Sequence, residues 1–127
     1  MVVGYGIDIV DARRIKQVLK RFGKRFTERA FSESERDYCM TKKRPEMHLA
    51  VRFGAKEAFI KAIGSSRGIR WRDVEVVRKG GPPTLRLHGA AKKIADRKGV
   101  EKILVSLAHD ADIGIAGVIL EGRSDHV

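Results

Sequence analysis

The sequence predicts an α+β fold in which an antiparallel sheet packs against an early pair of longer helices. Two long segments in the first half, 13–26 and 46–63, repeat apolar residues at helical spacing, whereas the second half consists mostly of short apolar strands. The chain has 127 residues, of which 43% are hydrophobic, and this size and composition are typical of one domain with an ordinary packed core. We therefore expect a single domain over residues 1–127.

The first predicted elements are a strand and a basic amphipathic helix. The strand covers residues 2–10, and its alternation places Asp8 on the same face as Gly6. Asp11 then stands at the N-cap position of the helix predicted over 13–26. The apolar stripe of this helix consists of Ile15, Val18, Leu19, Phe22 and Phe26.

The remaining elements follow from capping and turn signals. Ser32 and Glu35 have the spacing of a capping box and predict a short helix through Tyr38. The helix over 46–63 places Glu57 on a mostly apolar side and ends at Gly64. After it we expect strands over 73–77 and 84–87 joined by a turn at 80–83, a helix over 90–98, and strands over 102–107 and 113–120 joined around 109–112.

The charge balance favours an anionic partner. Lys and Arg number 27 against 16 Asp and Glu, which gives a net charge of +11. Seven of the positive charges lie over residues 13–25 without one acid, and Arg14, Arg21 and Arg25 line one edge of the apolar stripe. Only 6% of the residues are aromatic and no RNA-recognition motif is present, so we expect no nucleic-acid partner.

Cysteine usage and hydropathy indicate a cytoplasmic protein. Cys39 is the only cysteine, which excludes an internal disulfide and favours a reducing compartment. The longest apolar run, 113–120, has 8 residues, whereas a membrane-spanning helix needs about 20. The first residues lack the basic start and apolar stretch of a signal peptide. We therefore expect a cytoplasmic location and no membrane span.

Two carboxylates stand in unexpectedly apolar settings. Glu57 lies on the apolar side of its helix and Asp8 lies in an apolar strand, and unpaired burial of either charge would be costly. One interpretation is a salt bridge between Glu57 and Lys61, four residues later on the helix. The other is a Mg²⁺ site, because this ion commonly takes one or two carboxylates and fills its shell with waters and phosphate oxygens. Lys61 would then neutralise phosphate charge.

The histidines give a weaker signal. His109 falls in the predicted turn before the last strand, where a histidine is more often solvated than functional. His48, His88 and His126 have no recognisable ligand spacing, so the sequence does not indicate a zinc site.

Four stretches together resemble a known family, in the right order and over nearly the whole chain. They are Gly4 to Ile9 leading into Arg14 and Ile15, Arg52 to Ala62, Trp71 to Val76, and Ser106 to His109. With them the chain resembles the holo-[acyl-carrier-protein] synthases, the short bacterial type of 4′-phosphopantetheinyl transferase. The resemblance implies that transferase fold and Mg²⁺-dependent transfer of 4′-phosphopantetheine from coenzyme A to a serine of apo-acyl carrier protein, for fatty acid biosynthesis.

The resemblance also implies roles for particular residues. Asp8 and Glu57 would hold the metal, and Lys61 would contact the pyrophosphate. The coenzyme A site would include Arg52, Lys56, Lys61, Gly64, Gly81, Pro83 and His109. The acidic carrier protein would dock on Arg14, Arg21, Arg25 and Phe53. Members of the family are typically homotrimers with active sites at subunit interfaces.

Three positions depart from the family pattern: Gly54 replaces an alanine, Pro82 a lysine, and Ala108 a hydroxyl residue. Gly54 should weaken the helix interior by roughly 1 kcal/mol. The general base is left open between Glu57, a metal-bound water and His109. The alternative function is a non-enzymatic basic module that binds an acidic protein or nucleic acid, which explains the charge but not the pattern of Asp8, Glu57 and Lys61.

Overall fold

The computed structural model describes residues 1–123, which form five strands and five α-helices. In chain order these are β1 (Val2–Asp11), α1 (Ala12–Phe22), α2 (Lys24–Ala30), α3 (Glu33–Met40), α4 (Pro45–Ile63), β2 (Val74–Val77), β3 (Thr84–Leu87), α5 (Gly89–Arg97), β4 (Val100–Asp110) and β5 (Ile113–Gly122). A 3-10 helix, Trp71–Asp73, precedes β2. His126 and the end of the domain predicted over 1–127 lie outside the described residues.

The predicted α+β architecture is confirmed. β1, β5 and β4 form an antiparallel sheet in that order, and β2 pairs with β3 in a separate antiparallel hairpin. The long helix α4 packs on the inner face of the sheet and contributes Phe59 and Ile63 to the core, opposite Val118 and Leu120 of β5. Within residues 1–123, no helix is long and apolar enough to cross a membrane.

Two glycines let β1 lie directly on α4. A Cβ atom at Gly4 would overlap the carbonyl oxygen of Ala62, and one at Gly6 would overlap the carbonyl oxygen of Ala58. Any larger residue would therefore push the strand away from the helix. Because side chains alternate along a strand, Asp8 follows on this same inner face and is held close to α4.

The predicted continuous helix over 13–26 is wrong, because the chain breaks at Gly23. This glycine has φ 54° and ψ −127°, a conformation that other residues rarely adopt. The break redirects α2, so that the ring centroid of Phe26 lies 5.8 Å from that of Phe31 and 6.1 Å from that of Phe53. Burial of this aromatic cluster compensates for the lost helical hydrogen bonds.

The last hairpin also differs from the prediction. β4 continues to Asp110, so His109 lies in the strand, paired with Gly114, and not in the turn. The turn itself is Ala111 and Asp112, with Ala111 at φ 52°. A two-residue turn with positive φ matches the twist of the antiparallel strands and allows the ladder to extend to the end.

The outer face of the three-stranded sheet is apolar and exposed. Tyr5, Ile7 and Ile9 of β1 are 77%, 62% and 67% exposed. Leu104 of β4 and Ile115 and Ile119 of β5 continue this outer sheet face. β1 therefore turns its glycines towards α4 and its large apolar side chains towards solvent. Hydrophobicity alone would favour the opposite arrangement, with the large apolar side chains buried.

Candidate active site

The structure brings four of the predicted site residues into one groove. Asp8, Arg14, Phe53 and Glu57 line a groove of about 340 Å³ between β1, α1, α2 and α4. The N-cap residue Asp11 ends the strand beside it, accepting a hydrogen bond from the backbone N–H of Arg13 at 2.9 Å. We call this space the carboxylate groove.

Lys61 pairs with Asp8 across the fold and not with Glu57 along the helix. Its Nζ donates to Oδ1 of Asp8 at 2.9 Å and to the carbonyl oxygen of Ile7 at 3.1 Å. The Asp8 side chain is 17% exposed and that of Lys61 is 56% exposed. The ammonium group therefore lies on the solvent side of Asp8, whose carboxylate lines the groove.

The donor set of the groove fits a hard divalent cation. Within residues 1–123, no group of three or more acidic, histidine or cysteine side chains is arranged to enclose a metal. Asp8 and Glu57 provide two carboxylates beside one groove, which suits Mg²⁺ because that ion keeps several waters and completes its shell with phosphate oxygens. A structural zinc site would require four nitrogen or sulfur ligands instead.

The departure at Gly54 has a local explanation. A Cβ atom there would lie 3.3 Å from Cβ of Ala116 and 3.3 Å from Cγ2 of Val10, tighter than ordinary contacts, and 3.8 Å from Oδ2 of Asp8. The glycine lowers helix propensity, but it removes a tight contact directly behind the carboxylate groove.

Arg52 belongs to a second, basic cluster on another face of α4. Its guanidinium carbon lies 4.3 Å from the ring centroid of Tyr38 in α3, a cation–π contact, and its side chain is buried. A pocket of about 290 Å³ beside it is lined by four cationic residues and one acidic residue, Glu35; the cationic residues are Arg52, Arg78, Lys79 and Arg86. We call this space the basic pocket.

The turn predicted to contact the cofactor lies beside the basic pocket. Gly81 and Pro82 line an adjoining cavity of about 480 Å³ that shares Lys79 and Arg86 with the basic pocket. Pro83 is half-buried immediately before β3. Sequence reasoning missed Arg78, Lys79 and Arg86, although two of them directly precede the predicted turn.

Lys56 does not reach either space, which corrects the expectation of a direct cofactor contact. Its side chain is 0% exposed, and Nζ donates to Oε1 of Glu35 at 2.8 Å and to the carbonyl oxygens of Trp71 and Val74. These three acceptors use the whole donor capacity of the ammonium group. Lys56 therefore has no donor left for a phosphate.

His109 and Gly64 lie away from the carboxylate groove of the same chain. His109 is near His48, whose pKa is lowered by burial and, to a smaller extent, by the charges of Arg52, Lys42 and His109. Gly64 ends α4 at φ 75°, and Nζ of Lys98 donates to the carbonyl oxygen of Ile63 just before it.

The predicted docking residues are divided among three helices. Arg14 of α1 lines the carboxylate groove, and Arg21 of α1 lies 5.3 Å from the ring centroid of Phe22. Arg25 follows the break at Gly23 and belongs to α2, so the expected single edge of arginines is wrong. Phe53 packs 5.2 Å from Trp71 between ring centroids and forms part of the groove wall.

Comparisons with known proteins identify one family over nearly the whole chain. Residues 4–116 match the 4′-phosphopantetheinyl transferase superfamily. A holo-[acyl-carrier-protein] synthase from Anaeromyxobacter sp. (strain K) is 42% identical over 125 residues, 96% of this chain and 98% of the relative.

Solved structures show the same fold. The crystal structure of holo-[acyl-carrier-protein] synthase from Neisseria meningitidis has a TM-score of 0.85 at 32% identity and covers 95% of this chain and 99% of that chain. The Helicobacter pylori holo-[acyl-carrier-protein] synthase in complex with coenzyme A has a TM-score of 0.80 at 32% identity, with 92% and 99% covered. The family resemblance carried by the sequence is confirmed, and this chain belongs to the 4′-phosphopantetheinyl transferase superfamily.

Proposed function

We propose that this protein is a transferase that moves 4′-phosphopantetheine from coenzyme A to a serine of apo-acyl carrier protein, giving the holo-acyl carrier protein used in fatty acid biosynthesis. The observation that carries the proposal is the joint placement of Asp8, Glu57 and Lys61 at one groove. The similarity to holo-[acyl-carrier-protein] synthases, one of them solved in complex with coenzyme A, supports it. The acidic carrier protein would meet a chain of net charge +11.

Asp8 and Glu57 would hold Mg²⁺ in the carboxylate groove. When bound there, the ion supplies positive charge to the pyrophosphate oxygens of coenzyme A. Lys61 donates a hydrogen bond at the edge of the same groove and moves from Oδ1 of Asp8 towards a phosphate oxygen as negative charge develops on it. The chain thus stabilises the transferring phosphoryl group without a nucleophile of its own.

The carrier-protein serine is the nucleophile in this proposal. Its hydroxyl oxygen forms a bond to the phosphorus that carries pantetheine, and the bond from that phosphorus to the bridging pyrophosphate oxygen breaks. Adenosine 3′,5′-bisphosphate leaves with the electron pair of that bond, and the serine proton passes to a base. Glu57, one of the carboxylates of the groove, is the base that we propose, whereas His109 does not line the groove.

The basic pocket would hold the nucleotide portion of coenzyme A. Arg52 lines this pocket, Gly81 lines the cavity that adjoins it, and Gly64 ends α4 beyond Lys61. A single copy therefore presents the carboxylate groove and the basic pocket on different faces of one helix. A complete site would form if the groove of one copy met the basic pocket of another.

A homotrimer is the assembly that we propose. The outer sheet face exposes large apolar side chains on all three strands, which favours association with like surfaces. Burying this face between copies would bring sites together at subunit interfaces, as the family resemblance implies. We further propose that the protein acts in the cytoplasm, where Cys39, buried and unpaired, stays reduced.

Mass spectrometry of apo-acyl carrier protein tests the proposed function. After incubation with this protein, coenzyme A and Mg²⁺, the carrier protein should gain the mass of 4′-phosphopantetheine, and omission of Mg²⁺ or addition of a chelator should prevent the gain. A carrier protein with its acceptor serine changed to alanine is the control. No mass gain under any of these conditions would refute the transferase assignment and leave the basic binding module.

Lys61→Ala is expected to lower kcat on the order of 100-fold, because a donor that strengthens as charge develops contributes mainly to the transition state. The change also leaves Asp8 without its 2.9 Å partner. Lys102→Ala, an exposed change on β4, is the matched control and should leave kcat unchanged. Transfer kinetics at saturating coenzyme A measure both variants. A loss of less than threefold for Lys61→Ala would mean that the lysine serves only to pair Asp8.

Reversal of Arg14 and Arg21 to glutamate should raise KM for the carrier protein roughly tenfold while the affinity for coenzyme A stays unchanged, because complementary charge steers the acidic partner. The wild-type kcat/KM should fall as salt rises, and that of the reversed variant should respond much less. Carrier-protein titrations at two ionic strengths, with coenzyme A affinity from calorimetry, test this. Equal losses for both substrates would refute a docking role.

A further inference from the structure

The buried pair of Lys56 in α4 and Glu35 in α3 has no assigned step in the proposed transfer, although Glu35 lies at the wall of the basic pocket. Both side chains are 0% exposed, and Nζ of Lys56 lies 2.8 Å from Oε1 of Glu35. The ring centroid of Phe31 lies 5.3 Å from the same nitrogen and closes the apolar side of the site. A charged pair has thus been placed in the interior of a small fold.

Glu35 ties several elements to this one point. Besides Lys56, its Oε1 accepts a hydrogen bond from the backbone N–H of Ser32 at 2.8 Å, and its Oε2 accepts one from the backbone N–H of Val76 at 3.0 Å. Lys56 in turn binds the carbonyl oxygens of Trp71 and Val74. The pair therefore joins α3, α4, the 3-10 helix and β2 through bonds of fixed direction.

Stability alone does not account for such a pair. Replacing a buried ion pair by apolar residues of similar volume is often neutral or stabilising, because both charges must give up their hydration. What the pair provides is a set of directional hydrogen bonds that orient α4. Each hydrogen bond of Lys56 ends on a different element, so α4 has one rotational setting in which all three are made.

That setting decides where Glu57 points. Glu57 follows Lys56 directly and lies about 100° further round the helix. One turn before Lys56, Arg52 is held on the same side by the Tyr38 ring at 4.3 Å. With this face of α4 held against α3 and β2, Glu57 faces the carboxylate groove beside Asp8.

We infer that Glu35 and Lys56 form a positioning pair that fixes the rotation of α4 and thereby aligns Glu57 with Asp8 for divalent-metal binding. The inference deepens the proposed function and rests on it. Lys56 would thus act on the metal site by orienting its neighbour Glu57, and not by contacting the cofactor itself.

The test compares the apolar double variant Glu35→Met/Lys56→Met with wild type. Its melting temperature should fall moderately, because removal of the charged pair costs little by itself but the backbone N–H groups of Ser32 and Val76 lose their acceptor, and Mn²⁺ binding is therefore measured at a temperature where the variant is folded. Binding of Mn²⁺, used as the probe ion and followed by electron paramagnetic resonance, should weaken roughly tenfold or more, the usual effect of losing the groups that orient a ligand. The kcat for transfer should fall with it, whereas KM for the carrier protein should not change.

The matched control is Lys92→Met/Asp96→Leu, which removes an exposed ion pair of 3.2 Å and should change neither stability nor Mn²⁺ binding. If the double variant is unfolded, Glu35→Gln serves instead, since it keeps the volume and one acceptor towards Lys56. It should show the same direction of change.

Wild-type Mn²⁺ affinity in a folded variant would overturn the inference. So would activity lost only in proportion to the unfolded fraction, or failure of both variants to fold, because each outcome makes the pair purely structural. If wild type itself adds no phosphopantetheine to apo-carrier protein, the proposed function fails, and Mn²⁺ binding by wild type and variant still decides the role of the pair.

Discussion

Asp8→Asn and Glu57→Gln should each reduce transfer on the order of 100- to 1,000-fold while the fold stays intact, because each removes one of the two carboxylates that would hold the Mg²⁺ whose charge stabilises the phosphate oxygens. Asparagine at position 8 keeps a side-chain oxygen that can accept the hydrogen bond from Lys61, which is 2.9 Å long in the wild-type protein. Glutamine at position 57 keeps the length of the side chain. Lost packing is therefore a poor explanation for lost activity.

The measurement is kcat as a function of Mg²⁺ concentration, with circular dichroism to verify the fold. Asp96→Asn and Glu101→Gln are matched controls, since these carboxylates are 61% and 57% exposed and line no part of the groove. Both controls should keep wild-type activity. Full activity of Asp8→Asn or Glu57→Gln at limiting Mg²⁺ would exclude the metal assignment.

Gly6→Ala should destabilise the protein by about 3 kcal/mol, at the upper end of the usual cost of overpacking, because the added methyl group has no room. A Cβ atom there would overlap the carbonyl oxygen of Ala58 and lie 2.8 Å from the backbone nitrogen of Ala62. Backbone atoms of a buried helix cannot turn aside as the end of a flexible side chain can. β1 would have to move away from α4 and take Asp8 with it.

Denaturant unfolding of Gly6→Ala and Gly117→Ala tests this explanation. Gly117 is also a strand glycine, but a Cβ atom there meets no atom within 4 Å. Its replacement should leave the free energy of unfolding of one copy within about 0.5 kcal/mol of wild type, because the added methyl group has open space around it within the chain. Equal stability of Gly6→Ala and wild type would show that the close approach of strand and helix is not required.

Local signals predicted most of the secondary structure because each depends on a few neighbouring residues. The N-cap at Asp11 and the capping box of Ser32 and Glu35 are both present, and α4 begins and ends within one residue of the predicted bounds. The hairpin of β2 and β3 is also confirmed. The break at Gly23 was missed, since helical spacing of apolar residues continues through it and only the packing of Phe26 shows where the second helix must turn.

The sequence alone identified Asp8, Glu57 and Lys61 as candidate site residues, because charged residues in apolar segments can be recognised without coordinates. The four stretches that resemble the family then indicated which function these residues serve. Tertiary structure decided their partners. Helical spacing allowed Lys61 to pair with Glu57, but packing of β1 on α4 through Gly6 brings Asp8 within 2.9 Å instead. Spacing likewise says nothing of Lys56, whose partner Glu35 lies 21 residues away. Ion pairs between distant elements depend on how those elements pack, so a local sequence pattern cannot predict them.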